Sequence, residues 1–171
     1  MRFLTTALIA GILTFASMAG AADAPRAGGK LEITTLNGKQ LSIENLAGKP
    51  VLVFFFSTDC PHCQATAKML APIYGEYHAK GLEIVGVTLN PTAKDNLGAF
   101  VKQYDVAFPV GLGDRNRFVE YTGVTGRFYY PYMLFVDKSG QIREEHDGAD
   151  RGYFADLNAS VRKSLDQLLS Y

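Results

Sequence analysis

The run VLVFFFS at 51–57 constrains the fold of this chain more than any other stretch. Its β-branched, leucine and phenylalanine side chains follow one another without a polar break, so a strand built from them is apolar on both faces. Such a strand belongs in the middle of a sheet, with packed layers above and below it. Cys60-Pro61-His62-Cys63 follows almost at once. Pro61 suits the first turn of a helix, where its missing N–H costs nothing. The sequence therefore predicts strand, tight turn and helix, with both cysteines at the junction.

The flanking segments extend this unit. LEITTLNGKQLSI alternates apolar and polar residues around Asn37-Gly38, a strong hairpin signal. A helix is expected from Cys60-Pro61 to about Lys80, kinked or split at Pro72. LEIVGVTL reads as a second buried strand, AKDNLGAFVKQY as an amphipathic helix and FPVGL as a short strand. DRNRFVEY gives a helical turn or two, and YPYMLFVD and QIREEHD two strands pairing antiparallel. RGYFADLNASVRKSLDQLLSY closes the chain as one helix. Strands alternating with helices define an α/β fold: a central mixed sheet with helices on both faces, here with an N-terminal β-hairpin extension.

With 171 residues the chain has room for one well-buried domain. Residues 1–21 have the form of a signal peptide: Arg2, an apolar core over 3–15, and Ala19-Gly20-Ala21 as a small-x-small cleavage site, with cleavage after 22 or 24 as alternatives. The apolar core falls short of the roughly 20 residues that span a bilayer. A periplasmic or secreted protein is expected, and an uncleaved N-terminal membrane anchor is the lesser alternative. Residues 22–29 are expected to be a flexible leader and 30–171 the folded domain. Lys plus Arg equals Asp plus Glu, 17 against 17, so no basic footprint points to nucleic acid.

The two cysteines are the only ones in the chain. A disulfide across C-x-x-C closes a tiny loop and constrains the unfolded chain little, so it is a poor structural staple. Zinc needs four ligands, and beyond Cys60 and Cys63 the chain offers only His62, His78 and His146. Covalent haem needs histidine directly after the second cysteine, where Gln64 stands. A redox pair remains. The N–H groups and dipole of a helix start favour thiolate at Cys60, the nucleophile, and His62 adds a donor and a positive charge when protonated. Cys63, one turn on and more buried, is the resolving thiol. Asp59 opposes the thiolate by like-charge repulsion unless water screens it.

These residues resemble the TlpA/ResA-type exported thioredoxin-fold thiol–disulfide oxidoreductases, within the wider AhpC/TSA–Redoxin group. LNGKQLSIENLAGKPVLVFFFSTDCPHC, GLEIVGVTLN, FVKQYDVAFPVGLGD and YYPYMLFVDKSGQI carry the likeness across nearly all of the chain after the leader. The resemblance implies a thioredoxin-like fold and a redox-active disulfide between Cys60 and Cys63. It also implies a cis bond before Pro131, which presents the backbone of Tyr130 to an extended substrate. Pro61, Tyr129 and Tyr130 are the expected substrate contacts, and no cofactor or resident metal is implied. Asp59 stands where the family usually has tryptophan. Phe54 and Thr66 stand where thioredoxins and this branch, respectively, have carboxylates, leaving solvent or Lys68 through water to relay protons.

The Cys-Pro-His-Cys sequence resembles that of the oxidant DsbA, whereas the scaffold resembles proteins that mostly reduce, and the reductant direction is favoured. The implied partners are cysteine-containing proteins such as apocytochrome c or metal-site proteins, together with a membrane or periplasmic thiol partner that resets the pair. A monomer is expected. Two alternatives use the same cysteines. A peroxiredoxin-like thiol peroxidase would place Ser57 and Arg127 against Cys60, and a copper(I) metallochaperone would hold the metal between Cys60 and Cys63.

Overall fold

The computed structural model describes residues 24–171, so the signal peptide expected at 1–21 lies outside the described residues. In chain order the elements begin with β1 (Arg26–Ala27), β2 (Glu32–Thr35), β3 (Gln40–Ser42), a 3-10 turn at Ile43–Leu46, and β4 (Val51–Phe56). They continue with α1 (Pro61–His78), β5 (Glu83–Thr88), α2 (Ala93–Gln103), β6 (Val110–Leu112) and α3 (Arg115–Thr122). The chain closes with β7 (Tyr132–Val136), β8 (Gln141–His146), α4 (Arg151–Ala155) and α5 (Leu157–Leu169). Among the described residues the eight strands form one mixed sheet in the order β1-β8-β7-β4-β5-β6-β2-β3. β4 runs parallel to β5 and antiparallel to β7. The C-terminal end of β4, where the cysteines follow, thus lies beside the start of β7, where Pro131 stands.

The unbroken apolar run forms the strand it predicts, because every residue of β4 is buried. Its side chains alternate between two cores, as the period of two requires. Leu52, Phe54 and Phe56 pack with α1, α2 and α5 residues such as Leu70, Phe100 and Leu165. Val51, Val53 and Phe55 pack on the other face with Phe118 and Tyr121 of α3 and with Leu31 and Ile33 of the hairpin. The β2–β3 hairpin turns through Gly38, at φ +77°, and docks as an extension against β6. Gly111 permits this docking, since a Cβ there would lie 2.6 Å from the Thr34 carbonyl oxygen.

Three expectations are corrected. Arg26–Ala27, within the segment expected to be a loose leader, pair with β8, and Arg26 reaches Glu145 at 2.5 Å. α1 is not split at Pro72. Pro72 and Lys68, whose carbonyl loses its usual donor, are both exposed, while Leu70, Ile73 and Tyr77 anchor the buried face on either side. The closing helix is two helices, because Asp156 leaves helical geometry (φ −131°) and caps α5 by accepting from Ala159 N.

Candidate active site

Cys60 is the N-cap of α1, and its Sγ accepts the Cys63 N–H at 3.3 Å. Satisfying one of the free N–H groups of a helix start is what a capping atom does. The loop before it is closed by Cys60 N donating to Ser57 O (3.2 Å) and by Gln64 Nε2 donating to Thr58 O (2.9 Å). Cys60 is half-buried and Cys63 fully buried, and both are free thiols. Cys63 belongs to the core cluster that contains Phe54 and Phe56. Burial pushes its thiol well above the ordinary range, and its hydrogen bond with Cys60 adds to the rise.

Asp59 is exposed but not left to water alone. Its carboxylate accepts from Thr92 Oγ1 at 2.7 Å, Asn90 Nδ2 at 3.2 Å and Asn96 Nδ2 at 3.3 Å. Asn90 also receives the Thr58 N–H at 3.1 Å. The cysteine loop is thereby tied to the β5–α2 connection and the first turns of α2, a tether that sequence reasoning missed. His62 makes no hydrogen bond to either sulfur among the described residues. Its exposed side chain lines a groove instead, so the donor expected for the Cys60 thiolate is the backbone of Cys63.

That groove, of about 490 Å³, runs between α1, the Tyr130–Pro131 segment and α4–α5. It brings His62, Tyr130 and Pro131 into one lining, and the Tyr130–Pro131 bond is cis. Neither the N–H nor the carbonyl of Tyr130 has a hydrogen-bond partner among the described residues. Burial pushes the Tyr130 phenol up to about 12, opposed by Arg115 and reinforced by Cys63 and Cys60. Gly148 lies so close that a Cβ there would sit 2.4 Å from the Tyr130 carbonyl oxygen. Tyr129 is 47% exposed and lies outside the groove lining. Phe128 packs edge-on to Tyr130 at 5.3 Å and joins the opposite core. Pro61 is exposed at the first position of α1.

The parts of a peroxidase site do not converge. Arg127 lines a separate hollow with Glu145 and Asp147. Ser57 Oγ accepts from Asp59 N at 3.3 Å, within the turn before Cys60. Among the described residues no group of three or more His, Cys, Asp and Glu side chains is placed to hold a metal.

A C-x-x-C at the head of the helix that follows a central strand, facing a cis-proline segment, defines a thioredoxin-like protein. The chain belongs to the AhpC/TSA family, whose model matches residues 22–145. It is 31% identical over 118 residues to thiol-disulfide oxidoreductase ResA of Bacillus thuringiensis subsp. konkukian, covering 68% of this chain and 65% of that protein. It is 34% identical over 122 residues to ResA of Oceanobacillus iheyensis, covering 68% and 62%. The match thus spans slightly less than two thirds of these relatives' own length. A thiol:disulfide interchange protein of the thioredoxin family from Chlorobium tepidum superposes with a TM-score of 0.68 at 25% identity, over 84% of this chain and 99% of that one. A putative protein disulfide isomerase from Bacteroides thetaiotaomicron gives 0.69 at 21%, over 86% and 94%, a likeness of fold.

Proposed function

We propose that this chain is an exported thiol–disulfide oxidoreductase that reduces disulfides in partner proteins. The observation that carries the reading is the half-exposed Cys60 sulfur capping α1 in front of the buried Cys63 thiol. The Cys60 thiolate attacks one sulfur of a partner disulfide, forming a mixed disulfide and expelling the partner's other sulfur as thiolate, which takes up a proton. Cys63 then loses its proton and attacks Cys60 Sγ. The Cys60–Cys63 disulfide forms and the second partner thiol leaves, so two electrons pass to the partner. The relatives named thiol-disulfide oxidoreductase support this chemistry.

Cys63 supports the reductant direction: its buried thiol gains little stability by ionising in the reduced state, and a stabilised thiolate is the device that makes a strong oxidant. Export rests on the leader's apolar core and small-x-small motif. Among the described residues no helix is long and apolar enough to cross a membrane. The partners would be exported proteins with reactive cysteines, and a membrane or periplasmic dithiol would return the pair to its reduced form.

Equilibration with a glutathione or dithiothreitol buffer tests this reading. A reversible two-electron couple is expected, somewhat above the roughly −270 mV of thioredoxin and well below the roughly −120 mV of DsbA. A value close to that of DsbA would overturn the direction, and no reversible couple would overturn exchange itself.

A further inference from the structure

The groove beside the cysteines has a composition that selects among partners. Met69 of α1, Phe154 of α4 and Leu157 of α5 line it with Tyr130, and each is a partly buried apolar group packed against the core. Among the described residues, Arg151 and His62 are its only groups able to carry positive charge, and no aspartate or glutamate lines it. The Arg151 guanidinium is exposed, with no hydrogen bond or ion pair among the described residues. In the same groove the unpartnered N–H and carbonyl of Tyr130 offer an edge to an extended chain.

We propose that this groove selects protein segments in which the reacting cysteine has a bulky apolar residue and an acidic residue within two positions of it. The apolar side chain occupies the space between Met69, Phe154 and Leu157, and the carboxylate pairs with Arg151. Burial of the apolar group supplies affinity, and the charge pair discriminates against basic segments. This inference rests on the exchange reaction proposed above and specifies its substrates.

Four heptapeptides test it, with Leu or Ser on one side of a central cysteine and Glu or Lys on the other. Each is supplied as its mixed disulfide with 5-thio-2-nitrobenzoate and mixed with the reduced Cys63→Ser variant of the full chain. The Cys60 thiolate bonds to the peptide sulfur, the peptide–thionitrobenzoate S–S bond breaks, and the coloured thiolate leaves with the electron pair. The Leu/Glu peptide is expected to react about tenfold faster than Ser/Lys, the scale on which apolar pockets discriminate. Added salt should shrink the Glu-over-Lys ratio in the otherwise unaltered protein. Arg151→Glu should invert that ratio while keeping the Leu-over-Ser ratio, and Leu157→Ser should do the reverse. Equal rates for all four peptides overturn the groove assignment and leave exchange intact. If none of the peptides forms an adduct, exchange itself falls, and this inference with it.

Discussion

Cys63 lies with no exposed surface in the cluster that also holds Phe54 and Phe56, and burial keeps its proton on. Its thiolate is therefore scarce at neutral pH. Decay of a Cys60 mixed disulfide through Cys63 should speed up about tenfold for each pH unit on the alkaline side of neutrality. Thr66, one turn further along α1 and lining the groove, is close enough for a carboxylate there to take the proton. Thr66→Glu should raise the neutral rate and flatten the profile in stopped-flow measurements, and an unchanged profile would remove deprotonation of Cys63 as the slow step. The pair itself was legible because C-x-x-C after an apolar strand carries its meaning locally. The Asp59 tether was not: its donors Thr92, Asn90 and Asn96 lie across a strand and a loop, and nothing in the sequence around Asp59 specifies them. For His62, sequence adjacency suggested a hydrogen bond that is not made, since the side chain lines the groove and the N–H that reaches the Cys60 sulfur is that of Cys63.

At the scale of elements, α1 shows packing overriding a local rule. An interior proline costs a helix about 3 kcal/mol, yet α1 runs unbroken from Pro61 to His78 because its buried face is anchored on both sides of Pro72. Pro72→Ala should therefore stabilise the protein. The helix gains a hydrogen bond and loses a clash, while the unfolded chain regains up to about 1 kcal/mol of freedom. A net gain of about 1–2 kcal/mol in chemical denaturation is expected, and a loss would show that Pro72 matches a bend the site needs. The break between α4 and α5 had a local signal, since Asp156 is a good capping residue three positions before Ala159. The amphipathic pattern on both sides concealed it.

For the whole molecule, two ion-paired centres set opposite edges of the pH profile. Burial alone would raise Asp137, but donors from Ser139, the Gln141 N–H and Arg143 bring its carboxyl down to about 2. Its contribution is complete above the ordinary carboxylate range and is lost as pH falls through that lowered value. Burial also opposes charge on His146, yet Glu144 and Asp150, each at 2.7 Å, hold it above its ordinary value. Its contribution is complete below the ordinary imidazole range and is lost as pH rises through the raised one. Unfolding free energy should thus plateau between the two ranges. Asp137→Asn should lower the plateau by about 2 kcal/mol and blunt the acid fall, and His146→Gln should blunt only the alkaline fall. Overlapping profiles for His146→Gln and the unaltered chain would dismiss that centre. The sheet order was legible in outline from alternating strands and helices. The attachment of β1 to β8 was not, because a two-residue strand has no periodicity to read.

The His146 centre also divides the site by how readily its parts open. Cys60 follows a strand with paired neighbours on both sides, whereas Arg151, Phe154 and Ala155 of the short α4 line the groove, and α4 is capped by Asp150, which His146 holds. Amide protons of β4 should be among the last to exchange with deuterium and those of α4 among the first, by local opening that leaves the sheet closed. With that outcome, the reactive sulfur would be mounted on the slowest-exchanging part of the molecule and the proposed selecting wall on one of the quickest. The choice of partner can drift over evolutionary time while the chemistry stays fixed.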